Sequence, residues 1–149
     1  MTRIRITADY DATPDAVWRA VEHVDSHVDW MADAETIRFL TAQTAGVGTS
    51  FECVTRIGPV RLTDRMEITE WEPGRAMGVR HQGVVTGVGR FTIEPLDDGR
   101  RSRFAWEEEL RFPWWLGGPL GSAVGGPVVL RRIWQGNLRR LRPLVERHR

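Results

Sequence analysis

A chain of 149 residues with 41% hydrophobic and 28% charged residues has the size and make-up of one soluble globular domain with a real core. Its net charge of +1 supplies no global attraction to nucleic acid or to an anionic membrane. All 21 basic residues are arginine, which excludes Schiff-base chemistry, a pyridoxal-type cofactor and the usual phosphate-binding loop, since each needs a lysine.

The chain opens on a strand, in which Ile4, Ile6, Ala8 and Tyr10 alternate with Arg3, Arg5, Thr7 and Asp9. That alternation is not a signal peptide. Thr13-Pro14-Asp15 predicts a helix start, with Thr13 as N-cap, Pro14 at the first helical position and Asp15 favoured by the helix dipole. Val17, Val21 and Val24 share one face of that helix. Asp25 or Ser26 is expected to cap a second short helix running through Trp30 and Met31, followed by a strand around 36–41. Gly46-Val47-Gly48 then turns the chain into a meander, with strands near 49–57, 60–71, 76–82, 85–95 and 102–111. Gly58-Pro59, Pro73-Gly74, Gly83 and Asp97-Asp98-Gly99 supply the breaks. The lone Cys53 leaves no internal disulfide and reads as a small buried hydrophobe in a cytoplasmic protein.

From Phe112 to Leu130 the sequence carries no charge. The stretch is long enough to span a membrane. Its glycines (117, 118, 121, 125, 126) and prolines (113, 119, 127) instead predict a loop and a helix start, so no integral membrane segment is expected. Leu130, Trp134, Leu138, Leu141 and Val145 then form one stripe of a long amphipathic helix. The order is one strand, two short helices, six strands and one long helix, without linker or repeat, which predicts a single domain over 1–149. One long helix closing a largely antiparallel protein must bury its stripe on a concave sheet. If the helix is held slightly away, the space between is a pocket.

The run Ala12-Thr13-Pro14-Asp15-Ala16-Val17-Trp18, Trp30 at the end of the second helix, Gly46-Val47-Gly48, Thr69-Glu70-Trp71-Glu72-Pro73-Gly74 and the closing Asn137-Leu138-x-x-Leu141 together resemble the START/Bet v 1-like (SRPBCC) superfamily, in particular its polyketide cyclase/dehydrase-like branch. The resemblance covers nearly the whole chain, and its motifs are structural. It implies an α+β helix-grip fold: a curved seven-stranded antiparallel sheet around the C-terminal helix, with two short helices after the first strand. It further implies an apolar cavity for a polyketide-, lipid- or quinone-like molecule. It brings no invariant catalytic motif, so function has to be argued from the residues that face the cavity.

Strand parity selects those residues. Phe104, Trp106, Glu108 and Leu110 share a face, as do Met77, Val79 and His81; Leu62, Asp64, Met66 and Ile68; and Phe51, Cys53, Thr55 and Ile57. Ile4, Ile6, Phe51, Met66, Ile68, Phe91, Ile93, Phe104 and Trp106 are expected on the concave side with the helix stripe. The candidate ligand-binding residues are Phe51, Cys53, Met66, Met77, Val79, Phe91, Phe104, Trp106, Trp114, Trp115 and Trp134. His81, Asp64 and Glu108 are polar groups set into that apolar wall and are the candidate acid/base residues. A tight turn at Pro73-Gly74 would place Glu72 opposite Arg75 and Met66 opposite His81, with Asp64 diagonal to His81. Glu108, two strands away, would lie about 10 Å from His81 at ~4.8 Å per strand, leaving room for a substrate between them. A parity error of one would instead bring Arg56, Arg80 and Arg90 inward, where an inward His or Glu would bind arginine.

Trp114-Trp115, between Pro113 and Gly117-Gly118, suits a lid over the cavity or packing of the helix start. His23 and His27 have i, i+4 spacing, but with a helix break near Asp25 they read as a solvated loop, and no metal or organic cofactor is expected. The arginines of the last helix read as a solvated face rather than a nucleic-acid surface. Three functions remain open: binding of a hydrophobic small molecule, a cyclase/dehydratase using His81 with Asp64 or Glu108, and a protein-interaction module. The first two predict a cavity, the third a broad apolar patch. Either a monomer or a homodimer is compatible with the sequence.

Overall fold

The structure is a computed structural model that describes residues 2–112 and 127–146. The elements follow in the order β1 (Thr2–Tyr10), α1 (Pro14–Val21), a 3-10 helix (Val24–Asp29), β2 (Ala34–Phe39), β3 (Ser50–Ile57), β4 (Val60–Glu72), β5 (Ala76–Gln82), β6 (Thr86–Leu96), a 3-10 turn (Asp97–Gly99), β7 (Arg101–Arg111) and α2 (Pro127–Glu146). The seven strands form one antiparallel sheet ordered β1-β7-β6-β5-β4-β3-β2. The α+β helix-grip architecture expected from sequence is therefore present.

Local chemistry sets the elements. Thr13 caps α1, its hydroxyl accepting from the Ala16 amide at 3.2 Å, and Pro14 occupies the first turn. The second short helix differs from expectation. It is a 3-10 helix preceded by His23, which makes no side-chain cap. β2 likewise starts and ends two residues earlier than the 36–41 read from sequence. Met66 does pair with His81, though by a different route than a turn with Glu72 opposite Arg75. Glu72 pairs with Ala76, and a bulge between Ile68 and Glu70 absorbs the one-residue offset.

The stripe of α2 is buried at Leu130, Trp134, Leu138, Leu141 and Val145. Polar ties then fix the helix. The Tyr10 hydroxyl donates to the Leu138 carbonyl at 2.7 Å, and burial raises the Tyr10 pKa well above the usual phenol range. Asn137, fully buried, accepts from the Ala32 amide and donates to Asp33 Oδ1, each at 2.9 Å. Trp134 Nε1 donates to Asp33 Oδ2 at 3.3 Å. Arg131 Nη1 also donates to the Arg5 carbonyl of β1 at 3.0 Å.

The convex face carries cross-strand ion pairs: Arg3–Glu109, Arg5–Glu107, Arg80–Glu67, Arg38–Glu52 and Arg90–Glu70. Arg56 pairs with Glu35. Arg56, Arg80 and Arg90 thus have outward partners, and the parity that turned His81 and Glu108 inward holds.

Candidate functional site

Between the concave sheet, the 3-10 segment and α2 lies a cavity of about 130 Å³. Phe51 and Cys53 of β3, Met66 of β4, Met77 and Val79 of β5, Phe91 of β6, Trp106 of β7 and Trp134 of α2 line it. Each was expected there from strand parity or the helix stripe. Trp106 and Trp134 stack with ring centroids 4.7 Å apart. Phe104 is the exception. It faces inward but is fully buried, packed against Tyr10 and Phe91 where α2 closes onto the sheet, and it is core rather than cavity wall. Trp114 and Trp115 lie outside the described residues. Trp30 is a core residue, with its ring 6.0 Å from Trp106, and Trp71 packs edge-on to Trp18.

His81, Glu108 and Asp64 all line the cavity, and all three are buried. Their arrangement differs from the expected one. His81 Nε2 and Glu108 Oε2 are 2.9 Å apart and form a direct hydrogen-bonded pair; no gap of about 10 Å separates them. The cause lies in the strand between. The inward positions of β6 nearest the pair are Gly87, opposite His81, and Gly89, opposite Glu108. No side chain stands between the two groups, so they reach across the strand. A Cβ on Gly89 would fall 2.5 Å from Glu108 Oε2. The other carboxylate oxygen accepts from Trp106 Nε1 at 3.1 Å, so both oxygens of Glu108 are engaged.

Burial opposes a charge on His81, but the adjacent Glu108 carboxylate and its hydrogen bond, with Asp64 nearby, outweigh it and raise the His81 pKa above the ordinary imidazole value. Nε2 is thereby held as the donor, and Nδ1 has no partner among the described residues. Asp64 does a different job. Its Oδ1 accepts from the Val85 amide at 3.2 Å and lies against Gly83, so it holds the β5–β6 turn. Burial raises its pKa, against the Val85 and Val84 amides that lower it. Burial also pushes the Cys53 thiol up to about 11, which leaves it without thiolate character near neutrality.

One cavity residue was misread from sequence. His27 is not part of a solvated loop: it is buried, lines the cavity and packs against Trp30 and Phe91. Its Nε2 donates to the Val21 carbonyl at 2.7 Å, and burial pulls its pKa down to about 4. The signal was the 3-10 period of three, which puts Val24 and His27 on one side. His23 stays exposed beside Glu22. No cluster able to hold a metal occurs among the described residues. None of the described helices is long and apolar enough to cross a membrane.

The same architecture occurs in solved structures at low sequence identity. A Thermus thermophilus protein superimposes with a TM-score of 0.74 at 18% identity, covering 97% of each chain. A Streptomyces aromatase/cyclase does so with a TM-score of 0.73 at 18% identity, covering 99% of this chain and 94% of that one. The Aha1 protein of Colwellia psychrerythraea, solved as a dimer, gives 0.66 at 14% identity, covering 98% and 97%. At these identities the likeness speaks for the fold alone. No curated protein matches the sequence significantly. The sequence does match the family described as polyketide cyclase/dehydrase and lipid transport over residues 1–146, and with that span and this helix-grip cavity the chain belongs to that family.

Proposed function

We propose that this protein binds a hydrophobic small molecule in the space between its sheet and α2. The observation that carries the reading is the cavity itself, about 130 Å³ and walled mainly by aromatic, aliphatic and sulfur-bearing side chains. Close-packed interiors keep few voids larger than a water molecule, so such a space is a feature rather than a packing residue. Native mass spectrometry of freshly purified protein is expected to reveal a retained apolar molecule. An apolar fluorescent probe should bind the emptied protein and be displaced by hydrophobic competitors. A protein that neither retains a molecule nor binds any probe would refute the reading.

A second reading, proton transfer at His81, is favoured by one specific arrangement. Glu108 fixes the ring through Nε2, Trp106 fixes Glu108, and Nδ1 remains unpartnered among the described residues. Glu108 then acts as a positioning residue that sets the tautomer and raises basicity, not as a separate acid across the substrate. Asp64, occupied by the turn, contributes only its charge. NMR of the ring nitrogens should find Nε2 protonated throughout and a titration midpoint above the ordinary ~6.5 of imidazole. A midpoint at or below that value would remove the basis for proton transfer here. The interaction-module reading has thin support, since the large apolar side chains exposed among the described residues are Leu40, Val47, Val84, Val88 and Val128.

A further inference from the structure

The cavity gathers nearly all the sulfur in the chain. The sequence contains four methionines and one cysteine, and Met31, Met66, Met77 and Cys53 all line this one space. They come from four separate segments: the turn after the 3-10 helix, β4, β5 and β3. Ile37, Ile57, Leu62, Leu110 and Leu130 supply the aliphatic part of the wall, and the three methionines stand among them although leucine rotamers specify a core better. A thioether differs in being polarizable and in making favourable contacts with the edge of an aromatic ring. Phe51, Phe91, Trp106 and Trp134 add ring edges and faces to the same wall. Volume sets the size of the guest. A cavity of about 130 Å³ is close to the ~150 Å³ void that accommodates benzene, and well below the ~300–1,000 Å³ of sites for drug-sized ligands.

We propose that the site selects a compact planar aromatic molecule of one ring, recognised by the methionine sulfurs, over saturated molecules of equal size and over long-chain or polycyclic ones. The proposal rests on the binding function above and adds the class of ligand. Methionine stems are flexible, so substituents on the ring are accommodated by shifts of Met31 and Met66, which are only partly buried.

The test uses the full chain with methyl-labelled methionine, titrated with toluene, methylcyclohexane, decanoate and pyrene. After correction for each compound's transfer from water, toluene is expected to bind at least ~5-fold more tightly than methylcyclohexane, with shifts at Met31, Met66 and Met77, given about two- to tenfold per sulfur–ring contact. Met66→Leu combined with Met77→Leu conserves volume. It should bring the two ligands within ~2-fold of each other, with circular dichroism verifying the fold. Equal binding of toluene and methylcyclohexane to the unaltered protein would overturn the proposal, as would an undiminished preference in the double variant. Binding of decanoate or pyrene without toluene would overturn it too, yet leave the hydrophobic-binding function standing. Failure of every compound to bind would overturn the proposal, and would defeat the binding function as well if the purified protein also retained no apolar molecule and bound no fluorescent probe.

Discussion

Gly89→Ala is expected to destabilise the protein by about 3 kcal/mol, far more than a single methyl on a strand ordinarily costs. The added Cβ would fall 2.5–2.6 Å from the carboxylate atoms of Glu108. An exposed glutamate would swing aside. Glu108 cannot, because His81 and Trp106 hold its two oxygens and it is buried. Displacing it leaves a buried imidazolium without its counter-charge, and the His81 pKa should drop from its raised value as a result. A double-mutant cycle isolates the cause. In a Glu108→Ala background the same Gly89→Ala change should cost less than about 0.5 kcal/mol, since alanine is otherwise at least as good as glycine in a strand. Simple additivity of the two substitutions would show that the glycine serves some other purpose.

Acid should weaken the fold well before the carboxylates titrate, through His27. Its pKa in the fold is about 4 because burial disfavours the charged ring, against ~6.5 when unfolded. Above ~6.5 both states are neutral and the contribution is intact. As pH falls below that, only the unfolded chain takes up the proton, and stability declines until the native ring also titrates near 4. The integrated loss is about 3 kcal/mol. His81 works in the opposite sense. Its folded pKa is raised, so its contribution is complete below ~6.5 and is lost as pH rises through the folded value. Below ~6.5 the His81 contribution is constant, so denaturant midpoints measured from there down to pH 4 should fall steeply in the unaltered protein. In His27→Gln, whose amide can still donate to the Val21 carbonyl, the decline should be much shallower. An equal slope in both would place the acid sensitivity elsewhere.

Which side chains face inward was legible because β periodicity has only two phases, and the turns fixed each strand's start. Parity gives a side, however, and not a depth. Phe104 and Trp106 are two residues apart on one face, yet one lies under the tight end of the helix grip and the other on the cavity wall. Distance was misjudged for a related reason. Strand spacing measures backbones, whereas His81 and Glu108 meet through their side chains over an inward row left empty by Gly87 and Gly89. The Gly87-Val88-Gly89 alternation was in plain sight as the clue. His27 was missed because a three-residue period over six residues leaves too faint a trace to separate from a loop.

The two ends of the sheet differ in what they offer another chain. An open strand edge is a template for further pairing, and natural sheets protect it with shortness, irregularity and charge. β2 has all three: six residues, a register break between Ala34 and Thr36, and Glu35 and Arg38 held in ion pairs. At the opposite end β1 is nine residues long, but Arg131 reaches from α2 to claim the carbonyl of Arg5. Strand-to-strand growth is thus discouraged at both ends.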